Sequence, residues 1–169
     1  MKKELGELRV IAEDLGYLTP SVIALVQKTG FPGMKILQFA FDAREESDYL
    51  PHNYIKNSIV YTGTHDNDTT LGWFNTIPRH DKRFAKKYLN IRSNKDVVWE
   101  FIRATMASVS DTAIIPMQDY LGLGKEGRIN TPSTLGGNWT WRMDSGAATD
   151  ELAERICDMA KTYGRKANA

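Results

Sequence analysis

Two short polar segments carry the residue types of acid–base chemistry. The first is Ile11-Ala12-Glu13-Asp14-Leu15-Gly16, where two acids end an apolar run. A carboxyl that leaves a strand into an apolar cleft can be raised in pKa and act as a general acid. Acids at such a place also cap turns, and the pattern alone leaves both uses open. The second segment is Thr64-His65-Asp66-Asn67-Asp68. Three chemistries fit it. His65, Asp66 and Asp68 are metal-ligand types, although no second His or Cys cluster accompanies them. Asp66-Asn67-Asp68-Thr69-Thr70 has the D-x-D-x-T order of aspartate enzymes that transfer phosphoryl groups. Here, however, Thr62-Gly63-Thr64-His65 separates the first Asp from the apolar strand, and no glycine-rich phosphate loop occurs. The third chemistry is carbohydrate work, with a carboxylate and an imidazole holding sugar hydroxyls beside a general acid.

Aromatic residues add a possible stacking surface, because sugar rings present apolar C–H faces. Core packing is the expected use of Phe39 or Phe41 and of Trp73. Trp139 and Trp141 stand beside a glycine-rich loop and look less like core. Asn130, in Arg128-Ile129-Asn130-Thr131-Pro132, fits either a hydroxyl contact or a turn. Cys157 is expected to be a small buried apolar residue on a helix. His52 and His80 have no partner pattern and are expected at the surface.

These residues need elements to hold them. Residues 8–12 read as a strand that stops at Glu13. Thr19-Pro20 opens a helix as cap and first residue, Val22, Leu25 and Val26 form its apolar stripe, and Gly30 closes it. Strands follow at 34–41, ending at Asp42, and at 57–62, around Ser58-Ile59-Val60-Tyr61. Helical signals occupy 71–77, 81–89 and 94–108. A fourth strand covers 112–117 and ends at Gln118-Asp119. A loop rich in Gly, Asn and Pro spans 122–141, and a final helix covers 150–163, with Leu152, Ile156, Met159 and Ala160 on its apolar face. Alternating strands and helices imply an α/β fold with a parallel sheet, whose ligand edge lies just past the strands' C-terminal ends. Glu13 and Asp66 lie on that edge.

The spacing narrows the architecture. A (β/α)₈ barrel of ~250 residues allots roughly 31 residues to each unit. Glu13 and Asp66 are 53 residues apart, a little under two units. Four strands in 169 residues amount to half a barrel with two open edges, the mark of an incomplete chain.

Composition excludes more than it assigns. With 22 Lys+Arg against 21 Asp+Glu the formal net charge is +1, no electrostatic footprint for nucleic acid or an anionic membrane. At 41% hydrophobic and 25% charged residues the chain is of ordinary globular type. One cysteine excludes an internal disulfide framework and a multi-cysteine zinc site. No apolar run approaches the ~20 residues of a membrane span, and no signal-peptide core is visible, so a cytoplasmic protein is expected.

Taken together, Ile11-Ala12-Glu13-Asp14-Leu15-Gly16, Gly33-Met34-Lys35-Ile36-Leu37-Gln38-Phe39-Ala40-Phe41-Asp42 and Tyr61-Thr62-Gly63-Thr64-His65-Asp66-Asn67-Asp68-Thr69 resemble the 4-alpha-glucanotransferases. These are the amylomaltases or disproportionating enzymes, glycoside hydrolase family 77. Pro116-Met117-Gln118-Asp119-Tyr120-Leu121-Gly122-Leu123-Gly124, Arg128-Ile129-Asn130-Thr131-Pro132 and Gly137-Asn138-Trp139-Thr140-Trp141-Arg142 extend the resemblance over essentially the whole chain.

The resemblance implies a TIM barrel that transfers an α-1,4-glucan segment to another glucan or to glucose by a retaining mechanism, without metal or organic cofactor. Its partners would be α-1,4-glucans and maltooligosaccharides. By the same resemblance Glu13 matches the general acid/base after the fifth barrel strand. Asp66 matches the third carboxylate, after the seventh, and His65 its substrate-binding neighbour. Asp42 and Asn130 resemble acceptor-side sugar contacts. The family's nucleophile, an Asp after the fourth strand within Arg-x-Asp-His, has no counterpart here. The expectation is therefore that residues 1–169 are the C-terminal half of the barrel, strands 5 to 8 with their helices. Such a half would be inactive alone and completed by an N-terminal half. A glucan-binding fragment without turnover and a phosphotransferase at Asp66 and Asp68 are the alternatives.

Overall fold

Thr19 opens the first helix as its sequence suggests. In the computed structural model, which describes residues 6, 9–16 and 18–165, its side chain accepts from the Val22 amide. Pro20 then starts α1 (Pro20–Thr29), and Gly30 closes it at φ 67°, the left-handed region where glycine carries no Cβ penalty. The apolar stripe of α1 is the exception. Val22 is 39% and Leu25 61% exposed, and no residue of the helix is buried, so the stripe has no covering surface among the described residues.

Three strands follow, β1 (Gly33–Ile36), β2 (Ser58–Tyr61) and β3 (Thr112–Ile114), all parallel and in that order. The register sets Ile36 beside Tyr61 and Tyr61 beside Ile114, so these three share one face. β2 keeps the apolar run Ser58–Tyr61 of the strand expected over 57–62 and drops one residue at each end. The strand expected at 8–12 is reduced to one parallel bridge between Ala12 and Gly33, and residue 8 lies outside the described residues.

The strand expected over 34–41 is cut short at Ile36. The backbone tightens there into a 3₁₀ turn, Leu37–Ala40. The Gln38 amide reaches the Thr62 carbonyl at 3.2 Å, and the Gln38 side chain reaches the Asp68 carbonyl at 3.0 Å. An apolar run reads alike in a buried strand and in a buried turn, which is why the sequence over-extended it. β3 likewise ends at Ile114, two residues before Pro116, which caps a short helical turn and has no amide for a sheet ladder.

The remaining helices are α2 (Thr70–Thr76), α3 (Arg79–Leu89), α4 (Val97–Ala107), α5 (Met117–Tyr120) and α6 (Asp150–Thr162). α4 holds the core together. Its Val97, Phe101 and Ile102 are fully buried, and Phe101 meets Phe41 and Trp73 edge-on, each at 5.4 Å between ring centroids. Such pairs add to the large apolar burial of an aromatic ring. On α6 the expected stripe of Leu152, Ile156, Met159 and Ala160 is the half-buried side. Cys157 falls off that stripe and is exposed, correcting its expected burial. His52 and His80 are exposed as expected.

At the sheet's margins Ile11 and Ile114 are 44% and 38% exposed. No helix among the described residues is long and apolar enough to cross a membrane.

Candidate active site

A cleft of about 810 Å³ opens at the C-terminal ends of the strands, within the size range of small-molecule sites. Its lining includes Glu13, Phe39, Tyr61, His65, Asp66 and Gln118. Two segments more than fifty residues apart in sequence thus meet at one place.

Alternation along the extended chain separates Glu13 from Asp14. Asp14 turns toward β1, where its carboxylate accepts from the Met34 amide at 2.7 Å and packs where a side chain on Gly33 would have to go. Glu13 is left exposed on the cleft. Close by, the Tyr61 hydroxyl is held above its ordinary pKa, by burial first and by the Glu13 charge second. Tyr61 therefore keeps its proton and remains a hydrogen-bond donor. Sequence reasoning gave Tyr61 no role; its position at the last residue of β2 was the available signal.

The loop 63–69 presents His65 and Asp66. Gly63 leaves room for the Gln38 side chain, whose amide nitrogen would lie 2.5 Å from a Cβ there. Asn67 ties the loop to itself, its side-chain oxygen accepting from the Thr64 amide at 2.8 Å and the Thr64 hydroxyl at 2.9 Å. Asp68 leaves the group. Its carboxylate accepts from the Thr69 amide at 2.8 Å and packs against Gly72 of α2. His65, Asp66 and Asp68 therefore do not converge on one point. Among the described residues no three His, Cys, Asp or Glu side chains are grouped to hold a metal ion.

A second segment straps Asp66 in place. The Asn130 side-chain amide donates to Asp66 Oδ1 at 2.6 Å, and the Asn130 backbone amide donates to the His65 carbonyl at 3.1 Å. Arg128 donates through Nη2 to the Asp66 carbonyl at 2.8 Å and through Nε to the Asn130 carbonyl at 2.9 Å. His65 Nε2 lies 3.3 Å from Asp66 Oδ1, and the His65 ring rests 5.1 Å from that of Trp139. Trp139 is 58% exposed and sits at φ 60°. A bulky residue there is uncommon and is held by its surroundings. Its amide bonds to the Ile129 carbonyl at 2.8 Å. The arrangement offers two carboxylates, an imidazole and exposed aromatic faces from Phe39 and Trp139, a set suited to polyhydroxylated ligands.

Asp42 lies elsewhere. It belongs to a separate depression with Arg44, His80, Arg83 and Lys87. Arg44 grips its carboxylate with two side-chain bonds, of 2.8 and 2.5 Å, and a backbone amide at 3.0 Å. Those bonds hold the Asp42 pKa down at about 2. Phe41 and Trp73 are core or core-packed, whereas Phe39 is 43% exposed on the cleft. Arg128 was legible only as part of its motif, without a function.

A family model described as 4-alpha-glucanotransferase matches residues 1–148. The chain is 48% identical to a 4-alpha-glucanotransferase of Clostridium butyricum over 166 residues, covering 98% of this chain and 34% of that protein. It is 46% identical to the chloroplastic/amyloplastic 4-alpha-glucanotransferase of Arabidopsis thaliana over 168 residues, 98% of this chain and 29% of that one. The structure resembles an amylomaltase from Streptococcus agalactiae in complex with acarbose, with a TM-score of 0.94 and 40% identity, covering 98% of this chain and 34% of that one. The chain thus spans about a third of the relatives it matches.

Proposed function

The chain belongs to the 4-alpha-glucanotransferase family, glycoside hydrolase 77, and from that premise we propose that residues 1–169 supply the acid/base side of a glucan-transferring site. In this reading they are strands 5 to 8 of a TIM barrel, and the remainder of the barrel completes them. One observation carries the reading. Glu13, His65 and Asp66 line a single cleft, while their acidic neighbours Asp14 and Asp68 are turned into backbone bonds elsewhere.

Glu13 protonates the leaving glycosidic oxygen as the bond to the anomeric carbon breaks. It later takes the proton of the incoming acceptor hydroxyl as that bond re-forms. Retention requires a second carboxylate about 5–5.5 Å away, on the opposite face of the sugar, to hold the glycosyl group between these steps. We assign that nucleophile to a segment outside these 169 residues, so the chain alone does not turn over. Asp66, steadied by Asn130, binds hydroxyls of the sugar under attack, and His65 assists it. Tyr61 keeps a protonated hydroxyl within the electrostatic reach of Glu13. Asn130 retains its side-chain carbonyl for an acceptor-side hydroxyl. Asp42 contacts acceptor sugars beyond the cleft, where they compete with Arg44. Acarbose in the Streptococcus agalactiae amylomaltase supports a site for maltooligosaccharide-like ligands.

The test is reconstitution. The chain is mixed with the remaining, N-terminal part of the Clostridium butyricum relative, and glucose release from maltotriose is followed. Activity is expected only in the mixture. It should vanish in Glu13→Gln, because an amide transfers no proton in either step. In Asp66→Asn it should fall mainly in kcat, since the contact strengthens in the transition state. Robust transfer by the 169-residue chain alone, or indifference to Glu13→Gln, overturns the reading.

A further inference from the structure

The loop 63–69 that presents His65 and Asp66 is anchored at both ends on one side chain outside the cleft lining. Thr62, just past β2, donates its hydroxyl to Asp119 Oδ2 at 2.5 Å. Thr70, the first residue of α2, donates its hydroxyl to the same oxygen at 2.8 Å and its backbone amide to Asp119 Oδ1 at 2.8 Å. Thr62 and Thr70 are 0% exposed and Asp119 1%. Building on the proposed glucan site, we propose that Asp119 is a positioning residue: its carboxylate clamps both ends of the loop and so fixes where Asp66 meets the sugar.

Three features favour a clamp over general cohesion. Burying a carboxylate is costly, and well-packed apolar residues serve stability as well or better. Desolvation does raise the Asp119 pKa, against the donors Thr62 and Thr70 that lower it, and the nearby Asp68 charge adds to the rise. The bonds also fall on the two residues flanking the loop, which a nonspecific contact has no reason to select. Finally, the loop's interior is already tied, through Asn67 to Thr64 and through Gln38 to the Asp68 carbonyl. A stiff segment fixed at both ends has one position, whereas the same segment released at an end can shift against its remaining contacts with Asn130 and Arg128 and carry Asp66 with it.

The test compares the wild-type 169-residue chain with Asp119→Asn by amide hydrogen exchange and by acarbose titration. Asparagine keeps the size but loses the charge and one acceptor oxygen. Exchange at residues 64–70 is expected to quicken about 10-fold, as for loss of a charge-assisted hydrogen bond, with α4 amides unchanged. Acarbose affinity is expected to fall by a similar factor. Should Asp119→Asn fail to fold, Thr62→Val removes a single donor and is expected to shift the same amides by less. Unchanged loop exchange, or equal quickening in the loop and α4, overturns the clamp. So does wild-type affinity for acarbose in a variant whose loop has loosened. If the wild-type chain binds no acarbose, the glucan reading is what fails, and the exchange measurement still decides the clamp.

Discussion

Asn130 donates its side-chain amide to the Asp66 carboxylate at 2.6 Å across 64 residues of sequence. The bond occupies one carboxylate oxygen and leaves the other for a ligand. It also joins the 128–139 segment to the loop that carries Asp66, so a side chain that sequence alone allowed as a turn residue becomes part of the site's frame.

Asn130→Ala should therefore weaken acarbose binding about 10-fold, the effect of losing a hydrogen bond to a charged group. Because Asp66 is exposed and Asn130 only half-buried, thermal unfolding should move by less than about 2 °C. Isothermal titration and calorimetric scanning check the two halves. A large fall in stability with unchanged affinity would assign Asn130 to folding and remove it from the site.

The Asp42–Arg44 pair gives a pH prediction with a definite sign. The pKa of Asp42 is depressed to about 2, chiefly by the side-chain bonds from Arg44. A depressed carboxylate contributes its stabilisation above its unfolded pKa and loses it as pH falls through the folded one. Carboxyl-carbon NMR should show Asp42 titrating near 2 in the wild type and at about 3.9, the ordinary value, in Arg44→Ala. The pair is exposed and solvent-screened, so melting at neutral pH should barely change. A wild-type midpoint at the ordinary value would remove the fork.

What the sequence disclosed and what it hid divide by range. The Thr19 cap, the Gly30 stop and the four residues of β2 follow from neighbours a few positions away, and each was legible. Glu13 and Asp66 were legible as polar residues that follow apolar runs, although the run before Glu13 forms only a single bridge, at Ala12. Asp119 was not, because its partners lie 57 and 49 residues upstream and only the folded chain brings them together. Phe39 and Phe41 show a different limit. Both sit in one apolar run, and the 3₁₀ turn that ends β1 sends Phe41 into the core and leaves Phe39 on the cleft. Cys157 fell outside the half-buried stripe of its own helix, a distinction that the spacing of Leu152, Ile156 and Met159 already contained.

The helical core offers a stability prediction independent of the site. Phe101 is fully buried, and its ring touches those of Phe41 and Trp73. Phe101→Ala should cost about 3–5 kcal/mol, the lost transfer energy plus a cavity. A thermal midpoint roughly 10 °C lower corresponds to that loss in a domain of this size. Equilibrium urea unfolding measures it directly, and a cost under 1 kcal/mol would show that α4 does not hold the core.

The sheet's two margins carry exposed apolar side chains. Ile11 and Ile114 are 44% and 38% exposed at its two margins, and Val22, Ile23 and Leu25 of α1 are 39%, 42% and 61% exposed. In the half-barrel reading these side chains await the rest of the barrel, so the isolated chain should associate with itself. β3 is the edge to test, since its Thr112 and Ile114 are both exposed. Sedimentation velocity at micromolar concentration should show concentration-dependent association in the wild type. Ile114→Lys should reduce it, because a charge on an edge strand opposes further pairing. The same substitution should weaken complex formation with the N-terminal part of the Clostridium butyricum relative, since both events use one edge; sedimentation reads this apart from activity, because Ile114 also lines the cleft. A sharp monomeric boundary with cooperative thermal unfolding in the wild-type chain would show that the edges need no partner, and the half-barrel reading would fall with it.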